Sequence, residues 1–520
     1  MVKCNFYLVI FIFFLVSCSV CESLSAQSGS FIRGKIYISG GSEPVPFATV
    51  RLKNNQIGVF ANAEGDFRIS NNPLFRTDSL IVTCIGFMGR SVAVSDLNLS
   101  SVNKIYLTPA LYDLKEVKII ASRKKLRSTE IIAKAIRKIK NNYPAEKFNY
   151  TCYYRDYQKK DGNYQNLNEA LVQVQDAGFN LSSFYNQYRL LDFRQNTDFQ
   201  RIKISPYYDL SNTSEGFNDE KYIPNASLGD QFGNELLVLM VHDAIRNYRT
   251  RSFSFIDVLS TDFLKNHYFG VPQPVYDNNL LLYKIFFNAK SVLTSDSLLV
   301  TGSIYIQPMD YTIHKIEYTC NYILKGKQKK EMFNIDIEYG YENSFGSPMY
   351  LKYISFNNLF RVVDPSDDSY FRVVDSYLVP TTIDNSTVVL VFNNRIDPVS
   401  ASKKNNYEFL VSGIPAKIKS IDVKGKRLII TLKVKNLNSV KDKLSISVHN
   451  VNDINGQVIN RRKTIELNQF RELFVQDYNN PIQFRDSCFM QYLPLEKNCI
   501  TKTLNVEKYW MNTPENINIK

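Results

Sequence analysis

The sequence predicts a mainly β protein with a sandwich at each end and a central α+β domain built on a curved antiparallel sheet. Three observations carry this. Tyr (33) and Phe (34) far outnumber Trp (1), and these residues favour pleated, half-buried surfaces. Short runs of alternating hydrophobicity, bounded by turn residues, recur along most of the chain. One long amphipathic helical stretch stands out against them. At 520 residues the chain has room for about three domains at ~150 residues each, and 44% hydrophobic content is ample for packed cores.

Residues 1–26 read as an export signal. Lys3 supplies the positive start, and Phe6 to Val16 is an unbroken apolar run of eleven residues. A membrane-crossing helix needs ~20, so this is the apolar core of a secretory signal. Two processing sites compete. Leu15-Val16-Ser17-Cys18 resembles a bacterial lipobox, in which Cys18 would carry lipid and anchor the chain to a membrane. Ala26-Gln27 resembles an ordinary signal-peptidase site. Beyond it, Cys84, Cys152, Cys320, Cys488 and Cys499 are too few and scattered for a disulfide framework. Cys488 and Cys499 are near enough in sequence to pair, and Cys84 reads as a small buried hydrophobe in the strand Leu80 to Cys84. The formal charge of +13 is spread over short clusters such as Arg123-Lys124-Lys125 and Lys327 to Lys330. With an export signal this basicity points to anionic membrane or glycan surfaces, or to a solvated face, rather than nucleic acid.

Residues 31–108 form the first domain. Phe31 to Tyr37 and Pro46 to Leu52 alternate with period two. Asn62 to Gly65 makes a hairpin loop, where Asn and Gly tolerate positive φ. Leu80 to Cys84 is a buried run and Lys104 to Leu107 closes the set, giving about seven strands and hence a small sandwich. The segments Gly34-Lys35-Ile36, Pro46-Phe47-Ala48-Thr49-Val50, Ala61-Asn62-Ala63-Glu64-Gly65-Asp66-Phe67 and Leu80 to Phe87 together resemble the carboxypeptidase-regulatory-like family. That resemblance implies a transthyretin-like Greek-key sandwich that accompanies other proteins and is not itself catalytic.

Residues 109–125 read as a charged linker. The next domain, 126–377, opens with a helix capped by Ser128 or Thr129. Ile131, Ile132, Ala135, Ile136 and Ile139 share one face, which is expected to pack on the following sheet, and Lys134, Arg137, Lys138 and Lys140 take the other. From Phe148 the chain is strand-rich. Tyr150, Cys152 and Tyr154 alternate with Thr151, Tyr153 and Arg155. Leu282 to Asn288, Leu298 to Gln307, Ile313 to Tyr322, Glu331 to Tyr339 and Met349 to Leu359 read as consecutive antiparallel strands, interrupted earlier by a helix near Asn234 to Tyr248. This rhythm looks like the half-barrel of lipoprotein-carrier proteins.

Residues 378–468 supply another set of strands. Val388 to Phe392 leads into Asn393-Asn394-Arg395-Ile396-Asp397-Pro398, then Ala401 and Asn406-Tyr407. This resembles a bacterial Ig-like domain. Residues 469–520 read as a C-terminal tail in which Phe470 to Gln476 makes a last strand. The order of modules resembles exported proteins of Gram-negative envelopes.

A catalytic set is not legible, so no cofactor or metal is expected. None of His242, His267, His314 and His449 lies in a zinc-protease pattern. His242-Asp243 reads as a hydrogen-bonded pair at a helix end and His314 as outward-facing. Ser122 to Lys125 and Ser400 to Lys403 match a Ser-x-x-Lys spacing by chance, and no Gly-x-Ser-x-Gly elbow exists. Asp364, Asp367 and Asp368 lack the glycine and distal Glu of a calcium loop. Three readings follow. The first is a non-enzymatic envelope protein that contacts protein, glycan or lipid. The second is a periplasmic lipid or lipoprotein carrier with an apolar cavity. The third is a hydrolase whose first suspects are Glu169, Asp243 and His267, which must then share one cleft. An intact mass of the mature protein is expected to begin either at an acylated Cys18 or at Gln27; a chain retaining Met1 overturns the export reading.

Overall fold

The computed structural model describes residues 31–54, 58–110, 127–160, 162–202, 205–206, 235–250, 258–290, 298–324, 328–341, 345–364, 369–379, 385–434, 444–479, 489–490, 495–500 and 509–514. Residues 1–30 lie outside them, and with them the export signal and Cys18; so do Ser122 to Lys125, Asp367, Asp368 and Cys488.

The chain is mainly β. Its N-terminal module is a sandwich of two four-stranded sheets. One is ordered β4 (Asp66–Ser70), β1 (Phe31–Ile38), β8 (Asn103–Pro109), β6 (Phe87–Met88). The other is ordered β3 (Gly58–Phe60), β2 (Thr49–Leu52), β5 (Ser79–Thr83), β7 (Arg90–Ala93). Alternate residues Ile32, Gly34 and Ile36 of β1 point inward, as a period of two requires. Asn62 holds the hairpin by accepting from Glu64 N (3.0 Å) and Asp66 N (2.7 Å). Gly65 takes φ +77° there, and a Cβ on it would sit 2.7 Å from Ile36 O, so glycine is required. Cys84 falls just past β5 and is half-buried against the sandwich core.

The centre is one 13-stranded antiparallel sheet. Its strands are β9 (Phe148–Lys160), β10 (Asn163–Asp176), β11 (Gln187–Gln195), β12 (Ser205–Pro206), β13 (His267–Phe269), β14 (Gln273–Asp277), β15 (Leu280–Ala289), β16 (Leu298–Ile306), β17 (Ile313–Ile323), β18 (Lys329–Tyr341), β19 (Met349–Val363), β27 (Thr464–Asn479) and β28 (Phe489–Met490). They run in the order 13-15-16-17-18-19-27-9-10-11-28, with β12 on β19 and β14 on β15. Helices α1 (Ser128–Asn142) and α2 (Glu235–Met240) and the short α3 (Phe263–Asn266) cover one face.

The predicted stripe of α1 is the buried one: Ile131, Ile132, Ala135, Ile136 and Ile139 join the sheet in a single core. The predicted cap is not. Glu130 reaches back to Arg127 N (3.2 Å) and serves as the helix start, while Ser128 Oγ donates to Gly270 O (2.6 Å) and ties the helix to the sheet edge. The helix expected over 234–248 is regular only from Glu235 to Met240, with turns after it.

The C-terminal sandwich packs a sheet ordered β20 (Val373–Val379), β21 (Ser386–Phe392), β25 (Arg427–Leu432), β24 (Ile418–Lys424) on one ordered β23 (Ile414–Pro415), β22 (Tyr407–Val411), β26 (Leu444–Val448). Asp397 caps α4 (Pro398–Ala401) through Val399 N and Ser400 N, and Tyr407 OH donates to Ala401 O (2.6 Å). These bonds give the Asp397-Pro398 and Asn406-Tyr407 pattern its physical purpose.

Two expected boundaries change. The sandwich begins before 378, because β20 pairs with β21 and Phe371 lies in its core. It ends before 468, because Thr464–Asn479 leaves it to become a central strand between β19 and β9. The residues from 469 onward are therefore not a separate tail. Replacing Ile132, fully buried between α1 and the sheet, by Ala is expected to cost about 3 kcal/mol in urea unfolding, against less than ~0.5 kcal/mol for the exposed Lys138→Ala.

Candidate functional site

Strand pairing places the same residues on one face across many strands, so the large sheet has two chemically distinct faces. The inner face, under the helices, holds Tyr150, Cys152, Tyr154, Val172, Ile316, Ile335, Ile337, Ile354 and Leu473. The outer face carries an aromatic and ionic ladder. Leu171, Tyr153, Phe474 and Tyr353 are successive cross-strand partners, as are Glu169, Arg155, Glu472 and Ser355. The ladder continues through Glu338 and Asp336 of β18 to Lys315 and Glu317 of β17.

The N-terminal sandwich sits on this outer face. Phe60 stacks on Tyr353 (5.5 Å) and meets Phe474 (5.7 Å), and Phe47 stacks on Tyr353 (5.3 Å). The Asn62 hairpin delivers Glu64 to Lys159 Nζ (2.5 Å) and Tyr164 OH (3.2 Å), and those partners hold the Glu64 carboxyl below its ordinary range despite burial. Farther along, Gly86 N donates to Tyr276 O (2.7 Å).

Beneath the contact, Arg155 Nε donates to Glu472 Oε2 (2.5 Å), with both side chains almost wholly buried. The Arg155 guanidinium also lies over the Phe474 ring (5.2 Å) and reaches Asn512 O (3.4 Å). Lys315 bridges Glu317 (3.1 Å) and Asp336 (3.0 Å). Burial pushes the neighbouring Glu338 carboxyl up to about 8 against the pull of Lys315.

The inner face has two polar centres. In the first, Asp176 accepts from Arg246 Nη2 (2.8 Å) and Nε (3.1 Å) and from Asn186 Nδ2 (3.1 Å). Asp243 accepts from Tyr339 OH (2.6 Å) and from Ile245 N and Arg246 N. Burial pushes the Asp243 carboxyl up to about 6. In the second centre, Asp156 accepts from Asn168 Nδ2 (2.9 Å) and Tyr154 OH (3.2 Å), and Glu235 accepts from Leu495 N (2.9 Å). Burial pushes Asp156 up to about 6, opposed by Arg471, and pushes Glu235 up to about 7, helped by the charge of Asp156.

Groups that hold a proton near neutrality are what proton transfer requires. Here the carboxyl oxygens of Asp243, Asp156 and Glu235 accept from backbone amides, a side-chain amide and tyrosines inside the core. Among the described residues no three His, Cys, Asp or Glu side chains are placed to hold a metal ion.

The three hydrolase suspects are not brought together. Glu169 is on the outer face, bound to Tyr153 OH (2.6 Å) and Asn196 (2.8 Å). Asp243 is on the inner face. His267 lies on β13, eight strand intervals from β10, or roughly 38 Å along the sheet at ~4.8 Å each. Its Nδ1 meets Phe263 O (2.9 Å), and burial pulls its ring down to about 4.

Two further expectations are corrected. His314 is buried, not outward-facing: its Nε2 meets Thr312 Oγ1 (3.2 Å) because α1 and the 307–312 turn cover its strand. Asp243 turns to Tyr339 and its own turn's amides, while the His242 ring stacks on Phe356 (3.7 Å). Ser400 is likewise structural, accepting from Asn452 N (2.9 Å). The sequence reading missed Arg155, Glu472 and Arg246. Nothing local marks them: Arg155 and Glu472 sit in strands beside further charged residues, Asp156 and Arg471, and Arg246 lies in a turn.

Comparison with known families gives a match: residues 32–119 fit the family model of the CarboxypepD_reg-like domain, a span that contains the strands of the sandwich docked on the outer face. No curated protein and no solved structure matches the chain.

Glu235 and Asp156 are raised from 4.5 and 3.8, so the folded state holds their protons more tightly than the unfolded chain does. Their contribution to stability is full below about pH 4 and is lost as pH rises to about 7. The lowered His267 and His314 act in the opposite sense between about 4 and 6.5, so the difference between proteins is the readout. Glu235→Gln is expected to flatten the fall in urea midpoint between pH 4.5 and 7; a difference independent of pH contradicts the assignment.

Proposed function

We propose that this is a non-enzymatic, exported binding protein of the cell envelope, and that its C-terminal sandwich is the part that meets an anionic lipid surface. The carrying observation is where the charge sits. Residues 371–463 hold 16 Lys and Arg against 7 Asp and Glu, so this sandwich supplies +9 of the chain's +13. The bounds expected from sequence, 378–468, already carry +8, so the charge is concentrated in this sandwich rather than spread along the chain.

The basic residues gather at one edge. Lys404 Nζ donates to Ile418 O (3.3 Å) and Lys419 O (2.9 Å), and Lys433 N donates to Lys417 O (2.8 Å). Lys403, Lys404, Lys417, Lys419 and Lys433 are all exposed. Val399 and Ile414, about 70% exposed, lie within four residues of Lys403 and Lys417 in sequence. Lysines beside exposed aliphatic side chains suit a lipid headgroup region, where each cation adds about 1 kcal/mol near an anionic surface. Lysines on an edge strand also discourage sheet-to-sheet aggregation, and that duty alone requires no lipid.

The carrier reading asks for room inside the half-barrel, and the helix side chains of α1 and α2 fill that face. Among the described residues no helix is long and apolar enough to cross a membrane; on this reading attachment is peripheral or through an N-terminal lipid on Cys18.

The test is sedimentation with vesicles. The mature protein is expected to bind vesicles containing phosphatidylglycerol, to release them between 50 and 200 mM salt, and to ignore purely zwitterionic ones. Lys417→Glu, Lys419→Glu and Lys433→Glu together are expected to weaken binding about a hundredfold with thermal unfolding unchanged. Equal binding by the triple variant, or equal binding to neutral vesicles, refutes the reading.

A further inference from the structure

Residues 509–514 return from the far end of the chain and occupy a channel between the N-terminal sandwich and the outer face of the sheet. Trp510 enters the sandwich core itself. Its Nε1 donates to Arg68 O (2.9 Å). Asn512 accepts from Arg68 N (2.9 Å) through Oδ1 and donates to Phe60 O (2.8 Å) through Nδ2. Arg68 is on β4 and Phe60 on β3, and both are edge strands of their sheets. Two side chains of the returning segment therefore satisfy backbone groups that an edge strand otherwise leaves open.

The channel also reads the segment's own backbone. The Arg68 guanidinium donates to Met511 O (2.7 and 3.0 Å) and to Thr513 Oγ1 (2.6 Å). Gln476 Nε2 donates to Trp510 O (2.7 Å), and Arg155 reaches Asn512 O. Met511 packs in the apolar cluster of Phe60, Tyr153, Leu171, Tyr353 and Phe474. A large aromatic pocket, a bidentate amide site and an arginine that grips main-chain carbonyls are the parts of a sequence-reading peptide site.

We infer that this channel is a peptide-recognition site for Trp-Met-Asn-Thr, filled in cis by residues 510–513, and that the C-terminal segment is a latch holding the N-terminal sandwich on the sheet. A tethered ligand has a high effective concentration, so the site stays closed to outside peptides while its own segment is in place. A vacated site takes the same sequence from a free peptide.

The experiment uses the full chain. A dye-labelled peptide of residues 508–515 is titrated into wild type and Trp510→Ala, with anisotropy as the readout. The variant is expected to bind at least about tenfold tighter than wild type, and a peptide with Ala at the Asn512 position to bind it at least about tenfold more weakly. The inference fails if the two peptides bind alike, if wild type binds as tightly as the variant, or if a variant folded by circular dichroism binds neither.

The second test covers a variant that does not fold. Trp510 is the chain's single tryptophan, so its emission reports the channel directly. In full-length Asn512→Ala the emission is expected to move to the red and acrylamide quenching to rise severalfold. A blue, unquenched Trp510 in that variant overturns the latch.

Discussion

The Arg155–Glu472 pair is the constraint around which the rest is arranged. Removing two charges from water costs several kcal/mol each, recovered only where geometry and further hydrogen bonds are good. Three parts of the chain must be in place for that: β9 supplies the arginine, β27 the glutamate, and the 509–514 segment a carbonyl for the guanidinium Nη1. The aromatic floor of Phe474 and the sandwich above exclude water. A pair so placed contributes little net stability. It does fix register, because a slip of one residue in either strand would send that strand's charge to the opposite face, against the helix core and away from its partner.

With the register fixed, the sheet is covered on both sides. Helices fill the inner face with aliphatic and aromatic contacts. The sandwich covers the outer face through its Asn62 hairpin and its Phe47 and Phe60 rings. The CarboxypepD_reg-like module is in this way less an appended domain than a second layer over the large sheet. Its hairpin, whose shape is set by Asn62 and Gly65, has become a docking surface because Glu64 at its tip finds Lys159.

Legibility in the sequence followed the distance over which each choice is made. The N-terminal sandwich and helix α1 were readable because period-two strands, turn residues and the isoleucine stripe are all local. β27 was read as a strand but not placed, since its partners begin more than 100 residues away on one side and 300 on the other. The returning Trp510 segment has no periodicity at all. His314 was misjudged for a physical reason: alternation assigns a solvent side only when one face of a sheet is wet, and here α1 and the 307–312 turn cover the face on which it sits. Arg155 and Glu472 were hidden by the same circumstance, because the outer face is also covered. The buried charges that organise the molecule thus sit where simple alternation carries least information.

The position of β27 also dictates an order of events. Among the described strands it alone joins β19 on one side to β9 on the other, and the C-terminal sandwich lies between β19 and β27 in sequence. A ribosome or an export channel delivers β9 to β11 and β13 to β19 as two unfinished half-sheets. Each keeps a long, apolar, open edge until residue 479 emerges. For most of the time that the chain is being made, it therefore presents two matching edges to its neighbours as well as to itself. Unpaired edges of this length invite pairing between chains. Crowding of the growing chains therefore bears on the yield of correctly assembled protein, alongside the stability of the finished fold.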